Sequence, residues 1–434
     1  MRQWITLNEA VRELGVQAQT VYSYVSRGNI AVTPDPNDPR KSLYRAEDVA
    51  NLCRKKQVGR KREALAVGTI FGTEPCIYSG ITTFAKGRAY YRGKDSIRLS
   101  DTATLEEVAG ILWNARGPVS FEAGDVSLQG TERGRQCAFT SLAALAASGN
   151  STLGRTEKAL HVECGRLVAF VAKAFGAQCH VGDADGAGGE SGLGGAGSAA
   201  NSGVKTTHER LALGWGQGRE GAELIRRAMV LVADHEMTSS AFAARITAST
   251  GASLPGCLLT GLSTLAGPLH GDASNRVRAV FEDVTRLGAQ AVVTHHLQSA
   301  ILIPGFGHHL YPDGDPRAAA LLEALDPPDE IMSFINKVVE LTGLKPNIDV
   351  ALATLTAQLA LPREASFALF ATARSVGLLA HCMEQLQVGK VIRPRGLYTG
   401  RPLEDANVVL PAEGEKTPDP VTVEKNRVFK IVER

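Results

Sequence analysis

Apolar residues along most of this chain recur every three to four positions, and that regularity restricts the fold more than any other feature of the sequence. In TLEEVAGILW, Thr104 and Glu107 form a capping box, and Leu105, Val108, Ile111 and Leu112 make one apolar face. The same period returns over 138–148, 158–176, 222–233, 240–248, 276–288, 317–325, 329–342, 350–360 and 364–388. Alternation at period two, the mark of a half-buried strand, is almost absent from this body. No fixed repeat joins the segments, so core-forming helices are expected rather than a solenoid. A chain of 434 residues exceeds one small core, and two or three domains with an all-α body are predicted.

The first sixty residues read differently. Residues 1–62 carry twelve Lys or Arg against six Asp or Glu, a balance of +6; the whole chain sums to +2, so the remainder is −4. That asymmetry predicts a separate N-terminal unit. ITLNEAVRELGV places Leu7, Ala10, Val11 and Leu14 at helical spacing, and Gly15 then ends the helix. AQTVYSYVSRGNI follows as a second short helix, and TPDPNDPRKSLYRAEDVANL as a loop or hairpin returning to a third. This helix-turn-helix spacing resembles the headpiece of MerR-type and excisionase-like regulators. On that resemblance Gln19, Thr20, Tyr22, Arg27, Arg40 and Lys41 are the residues expected to touch DNA. The basic stretch RKKQVGRKRE, from Arg54 to Glu63, serves equally as a phosphate contact or as a solvated tether.

A net charge near zero gives no global field that selects nucleic acid or membrane. Seven scattered cysteines (53, 76, 137, 164, 179, 257 and 382) with no CxxC pair predict reduced thiols and a cytoplasmic protein. MRQWITLNEA has no apolar segment of signal-peptide type, and no membrane association is expected. The Gly/Ser/Ala-rich stretch Gly182–Gly203 offers no GxGxxG after a strand and no GKS or GKT, so a flexible surface insertion is expected there rather than a nucleotide-binding loop. His295 and His296 are adjacent on a helix and point to different faces. His161, Cys164, Cys179 and His180 lack zinc spacing; no metal is predicted, and His381 is expected to be structural.

Chemistry concentrates in the second half. GFGHHLYPDGDPR places two glycines before His308 and brings Arg317 nine residues later behind a proline. A His and an Arg held this way can polarise a carbonyl and clamp a neighbouring carboxylate. ADHE around His235, GPLHG around His270, PNID ending at Asp349, ATARSVG with Arg374 and IRPRGLYTG with Arg393 complete the set: three imidazoles, one carboxylate and three guanidinium groups. Such an inventory suits a dicarboxylate beside a carbon acid. Three arginines match the dianion, and a buried carboxylate of raised pKa can take a proton from carbon.

From about Ala89 to Pro402, these motifs occur in the order of the citrate synthase family, which the chain resembles and which includes the 2-methylcitrate synthases. The resemblance implies a two-domain all-α fold behind the headpiece. Its boundaries would be a headpiece over 1–53, a linker over 54–64, a large domain over 65–271 and 382–434, and a small domain over 272–381. It implies that Asp349 is the base removing a proton from an acyl-CoA, that His270 hydrogen-bonds the thioester oxygen, and that His308 holds the keto oxygen of oxaloacetate. His235, Arg317 and Arg374 would bind the oxaloacetate carboxylates, with Arg393 supplied by the partner subunit of a homodimer. No cofactor is implied beyond the substrates oxaloacetate and acyl-CoA.

Departures from the family pattern cluster on the acyl-CoA side. Asp272 replaces a glycine after His270, and Asn275 replaces an acid. His309 and Pro312 stand where basic residues are common, VALATL follows Asp349, and Thr238 takes the place of an asparagine. A condensing acyltransferase is the expected function. The alternative is a DNA-binding regulator whose body senses oxaloacetate or citrate without catalysis; a third possibility makes the headpiece a protein-interaction module.

Overall fold

A computed structural model describes residues 4–14, 21–22, 24–25, 30–35, 38–50, 52, 77–122, 124, 127–130, 132–178 and 205–393. The basic linker, the Gly-rich stretch, Gln19, Thr20, Arg27 and the side chain of Arg40 lie outside the described residues. Residues 1–79 and 80–434 form two compact units.

In the first unit, β1 (Trp4–Thr6), α1 (Leu7–Leu14), β2 (Val32–Asp35) and β3 (Asp38–Arg45) are followed by helical residues at 46–50. The strands pair antiparallel in the order β1-β3-β2, with Ile5 opposite Tyr44 and Val32 opposite the other edge of Tyr44. Ile5, Ala10, Leu14, Val21, Ile30, Tyr44 and Val49 make its core. Where the sequence predicts a loop or hairpin, β2 and β3 pair antiparallel and complete a small sheet. Of the residues expected at DNA, Tyr22 is exposed and Lys41 lies 3.2 Å from Asp38.

The second unit opens on something the periodicities did not suggest. Strands β4 (Thr82–Ala85), β5 (Arg88–Tyr91) and β6 (Lys94–Asp95) form an antiparallel meander. They are too short for an alternation pattern to stand out. The meander delivers Tyr91 into the interior, where its hydroxyl lies 3.1 Å from Val230 O and 3.2 Å from Asp234 O.

The remaining elements among the described residues are helices. α2 (Ser96–Thr102), α3 (Leu105–Leu112), α4 (Arg135–Ser148), α5 (Glu157–Ala174), α6 (Thr207–Gly214), α7 (Arg219–Val232), α8 (Ser239–Ser249) and α9 (Leu254–Leu265) come first. α10 (Ala273–Leu287), α11 (Ala289–Gln298), α12 (Pro316–Glu323), α13 (Asp329–Thr342), α14 (Ile348–Gln358) and α15 (Ala365–Val388) complete the order. The predicted capping box of α3 is present, Thr104 Oγ1 accepting from Glu107 N at 3.2 Å and Glu107 Oε2 from Thr104 N at 2.8 Å. α9 escaped the periodic reading because Pro255, Gly256 and Gly261 interrupt its pattern. Pro255 sits harmlessly in the first turn behind the Ser253 cap, and Gly261 is where Leu378 of α15 packs closest.

Two hydrophobic cores result. The larger gathers the meander, α3 to α9, α12, one face of α14 and all of α15. The smaller lies between Val277 and Ala353, from α10, α11, α13 and the opposite face of α14. α14 thus joins them, with Val350 and Ala353 toward one and Ala351, Leu352 and Leu355 toward the other. By length and composition α15 could cross a membrane, yet its apolar window is wholly buried inside the protein, as suits the central helix of a core.

Candidate active site

Arg317 and Asp349 each sit in the first turn of a helix. Asp315 caps α12, its side chain accepting from Arg317 N at 3.0 Å. Asn347 caps α14 in the same way, accepting from Asp349 N at 2.9 Å. The predicted tight turn before His308 exists, with Gly305 at φ +84° and Gly307 at φ +78°. A Cβ on Gly305 would stand 2.6 Å from Cγ2 of both Val277 and Val350. Gly305→Ala is expected to destabilise the protein by about 2–4 kcal/mol, overpacking and left-handed strain together. Urea unfolding checks this; an unchanged midpoint would mean that the smaller core yields freely.

Around that turn the imidazoles gather. The rings of His235 and His308 are 5.6 Å apart, and Phe84 packs edge-on against His235 at 4.9 Å. His235 Nε2 and the Tyr311 hydroxyl are 3.1 Å apart. Leu310 N donates to His308 Nδ1 at 3.1 Å. A backbone amide can only donate, so in the neutral ring the His308 proton lies on Nε2, leaving that atom as a donor. His270 Nε2 lies 2.8 Å from Ser240 Oγ, which is 3.0 Å from Thr238 Oγ1.

Burial and the nearby guanidinium groups keep all three rings neutral. Desolvation, then Arg317 and Arg374, hold His235 well below the usual imidazole range. Desolvation with Arg374 brings His270 to about 4, and desolvation with Arg317 brings His308 to about 4. Neutral imidazoles offer hydrogen bonds without adding charge beside an anion.

The arginines are held differently. Arg317 is gripped by Asp315 through both Nε and Nη2, at 3.0 and 2.8 Å, and Asp315 also accepts from Ile348 N at 3.1 Å. Burial lowers the Arg317 pKa, and the Asp315 carboxylate more than offsets it. Arg374 is buried on α15, with Nε donating to Val232 O at 3.0 Å and its guanidinium 4.8 Å from the Phe370 ring. Its Nη2 has no protein partner. Burial lowers the Arg374 pKa to about 10, against the opposing pull of Asp234.

Asp349 is enclosed, and its Oδ1 has no hydrogen-bond partner. Burial drives its pKa up to about 7, against the lowering influence of Arg317 and Arg374. Ionisation is thus balanced near neutrality although the helix start favours the anion.

The structure brings six of the seven predicted residues into one electrostatically linked group. Arg317 influences His235, His308 and Asp349, and Arg374 influences His235, His270 and Asp349. Arg393 stands apart. It is exposed in the segment after α15, anchored where Ile392 N donates to Ser249 Oγ at 3.1 Å, and no hydrogen bond or ion pair joins it to the other six.

Three residues of this neighbourhood were not assigned roles from sequence. Tyr311 and Asp315 lie within the GFGHHLYPDGDPR signature, but hydroxyl and carboxylate groups in loops are common. Asp234 precedes His235 and is buried, with Oδ1 3.3 Å from His381 Nε2 and Oδ2 accepting from Glu236 N at 3.1 Å. Gly377 is small because Asp234 is there, since a Cβ would stand 2.3 Å from Oδ1. His381 is accordingly a partner of Asp234. Among the described residues no cluster of His, Cys, Asp or Glu could hold a metal ion.

What fold and site define is a largely helical protein in which a buried carboxyl group, raised toward neutrality by burial, shares one neighbourhood with neutral imidazoles and buried arginines. The chain belongs to the citrate synthase family: the family model described as citrate synthase, C-terminal domain, matches residues 71–395. It is 35% identical over 190 residues to a citrate synthase of Heyndrickxia coagulans, covering 41% of this chain and 51% of that protein. It is 36% identical over 186 residues to one of Synechocystis, covering 40% and 47%. The chain thus spans about half the length of the curated relatives it matches. The crystal structure of citrate synthase from Thermotoga maritima superposes with a TM-score of 0.58 at 24% identity, covering 76% of this chain and 94% of that one. A ternary complex of the Thermoplasma acidophilum citrate synthase with carboxymethyl coenzyme A and oxaloacetate superposes at 0.56 with 19% identity, covering 79% and 96%. Both share the fold.

Proposed function

We propose that this protein condenses a short acyl-CoA, acetyl-CoA first, with oxaloacetate, releasing CoA and citrate or its 2-methyl homologue. The observation that carries this is Asp349, a buried carboxyl group with an unpartnered oxygen, raised by burial to about 7 against the pull of Arg317 and Arg374. Such a group is matched to abstracting a proton from carbon at neutral pH.

In this reading Asp349 removes a proton from the methyl carbon of the thioester, and neutral His270, its Nε2 held by Ser240 Oγ, donates from Nδ1–H to the thioester oxygen as the enol forms. The His308 Nε2–H polarises the keto group of oxaloacetate, so the enol carbon attacks that carbonyl carbon and its oxygen takes up a proton. Water then cleaves the thioester, giving the carboxylic acid and CoA thiol. His235, Arg317 and Arg374 hold the oxaloacetate carboxylates, with Arg393 reaching the site of a neighbouring subunit in a homodimer. Arg374 Nη2, buried without a protein partner, supports an anionic ligand there. No further cofactor enters the scheme.

A pure oxaloacetate sensor has use for the arginines but none for a proton-accepting Asp349, which favours the enzyme. The test is thiol release from acetyl-CoA and propionyl-CoA, with and without oxaloacetate. Oxaloacetate-dependent release is expected; oxaloacetate binding by calorimetry without turnover of either thioester would replace the enzyme with the sensor.

A further inference from the structure

Every buried residue of the smaller core lies between Val277 and Ala353, with α12 and one face of α14 packing on the larger core within that span; the stretch just before α10 is thus the outward passage and the stretch between α14 and α15 the return passage. One side chain touches both passages. Arg135, the first residue of α4, places Nη2 2.5 Å from Asp272 Oδ1 on the outward passage. On the return passage its backbone N donates to Glu364 Oε2 at 2.8 Å, and its Nε lies 3.8 Å from Glu364 Oε1. The guanidinium lies 3.9 Å from the centre of the Phe367 ring, which fixes its plane.

Two more bonds tighten the junction. Asn275 Nδ2 donates to Asp272 Oδ1 at 2.8 Å, and Arg278 Nη1 of α10 donates to Pro362 O on the return passage at 3.1 Å. Asp272 and Asn275, two of the residues by which the sequence departs from its family, therefore share one function here. α4 belongs to the larger core through Cys137, Ala138 and Leu142. The clamp thus runs from that core to the segment bearing His270, two residues before Asp272.

We infer that Arg135 is a positioning residue: it pins both passages to α4, limits how far the smaller core swings, and so sets where His270 meets the acyl thioester. This rests on the condensing reaction proposed above. Asp272 and Arg135 are each about a quarter exposed, 25% and 24%, so their attraction adds little to global stability. Its weight is geometric, and a misplacement of about 1 Å at a reacting group can cost about a hundredfold in rate.

The test compares wild type, Arg135→Gln and Arg135→Lys as full chains, by steady-state kinetics with acetyl-CoA and oxaloacetate, thermal melting, and amide hydrogen exchange of residues 268–276 and 360–366 with oxaloacetate present. For Arg135→Gln, kcat falls and KM for acetyl-CoA rises, about ten- to a hundredfold combined, while KM for oxaloacetate stays within about twofold. Exchange speeds up in both passages, and Arg135→Lys, which keeps the charge, recovers part of each effect. Equal losses in Lys and Gln variants that track a lowered melting temperature would overturn the clamp, as would unchanged exchange in either passage. Should wild type show no turnover, the reaction is wrong; exchange at the two passages then decides the clamp alone.

Discussion

Asp349→Ala is expected to lower kcat by about 10²–10⁴-fold, the usual contribution of a positioned general base, while oxaloacetate still binds. Asp349→Glu retains part of the activity, since a carboxylate remains on the same helical turn. Burial places the Asp349 pKa at about 7, so kcat/KM of the wild type rises with pH up to about 7 and then levels as the carboxylate form fills. The same burial has a cost that can be measured without substrate. A carboxyl group raised above its unfolded value near 3.8 contributes stability that is fully present below that value and is lost as pH rises through about 7. The loss amounts to a few kcal/mol at about 1.4 kcal/mol per pH unit. Asp349→Asn, permanently neutral, is therefore expected to be more stable than wild type at pH 8 and similar at pH 4. Thermal melts of both proteins across that range, beside a thiol-release profile, check the two predictions independently. A flat activity profile between pH 5 and 8, with equal melting curves, would remove Asp349 from the role of base.

Asp315→Ala is expected to destabilise the protein by about 3–5 kcal/mol, because it leaves Arg317 buried and uncompensated. The substitution also removes the cap of α12 and the acceptor for Ile348 N. Arg317 then loses its two-point grip, and oxaloacetate affinity drops with it. Asp315→Asn keeps a capping oxygen without the charge and falls between. The pH dependence runs opposite to that of Asp349. Asp315 is lowered below its ordinary value: its own burial would raise it, but Arg317 prevails. Its stabilisation is complete above the unfolded pKa and disappears as pH falls through the depressed value. The asparagine variant should therefore lose less stability than wild type on acidification. Urea unfolding at pH 7 and pH 3, with calorimetric titration of oxaloacetate, measures both effects; a stable Asp315→Ala with unaltered affinity would mean that Arg317 is oriented by something else.

Long amphipathic helices were legible in the sequence because their apolar stripes are continuous. α13 was predicted over 329–342 and is found over Asp329–Thr342. What escaped was structure made by packing rather than by period. The β4–β6 meander is too short to show alternation, and α6, at Thr207–Gly214, is barely two turns. α9 carries proline and glycine that only a capped first turn and a close neighbour explain. Within the site, the imidazoles, Asp349 and the arginines could be singled out because several unusual residues recur in one order. Asp315, Tyr311 and Asp234 could not, since their significance lies in what they hold. Asp234 matters through His381, 147 positions later, and through the narrow space beside Gly377. Arg135 is the clearest case: nothing in GRQCAFT hints that its guanidinium will meet residues 137 and 229 positions away.

The burial of α15 has a consequence for biosynthesis. This helix packs against α3, α5, α7, α8, α9, α10 and α14, so each of those elements leaves the ribosome with an apolar groove still open. The larger core closes only after residue 388 is available, and until then a nascent chain presents sticky, half-built surface to its surroundings. A fragment ending near residue 360 should consequently aggregate or be held by chaperones, and adding residues 365–388 as a separate peptide should restore its solubility.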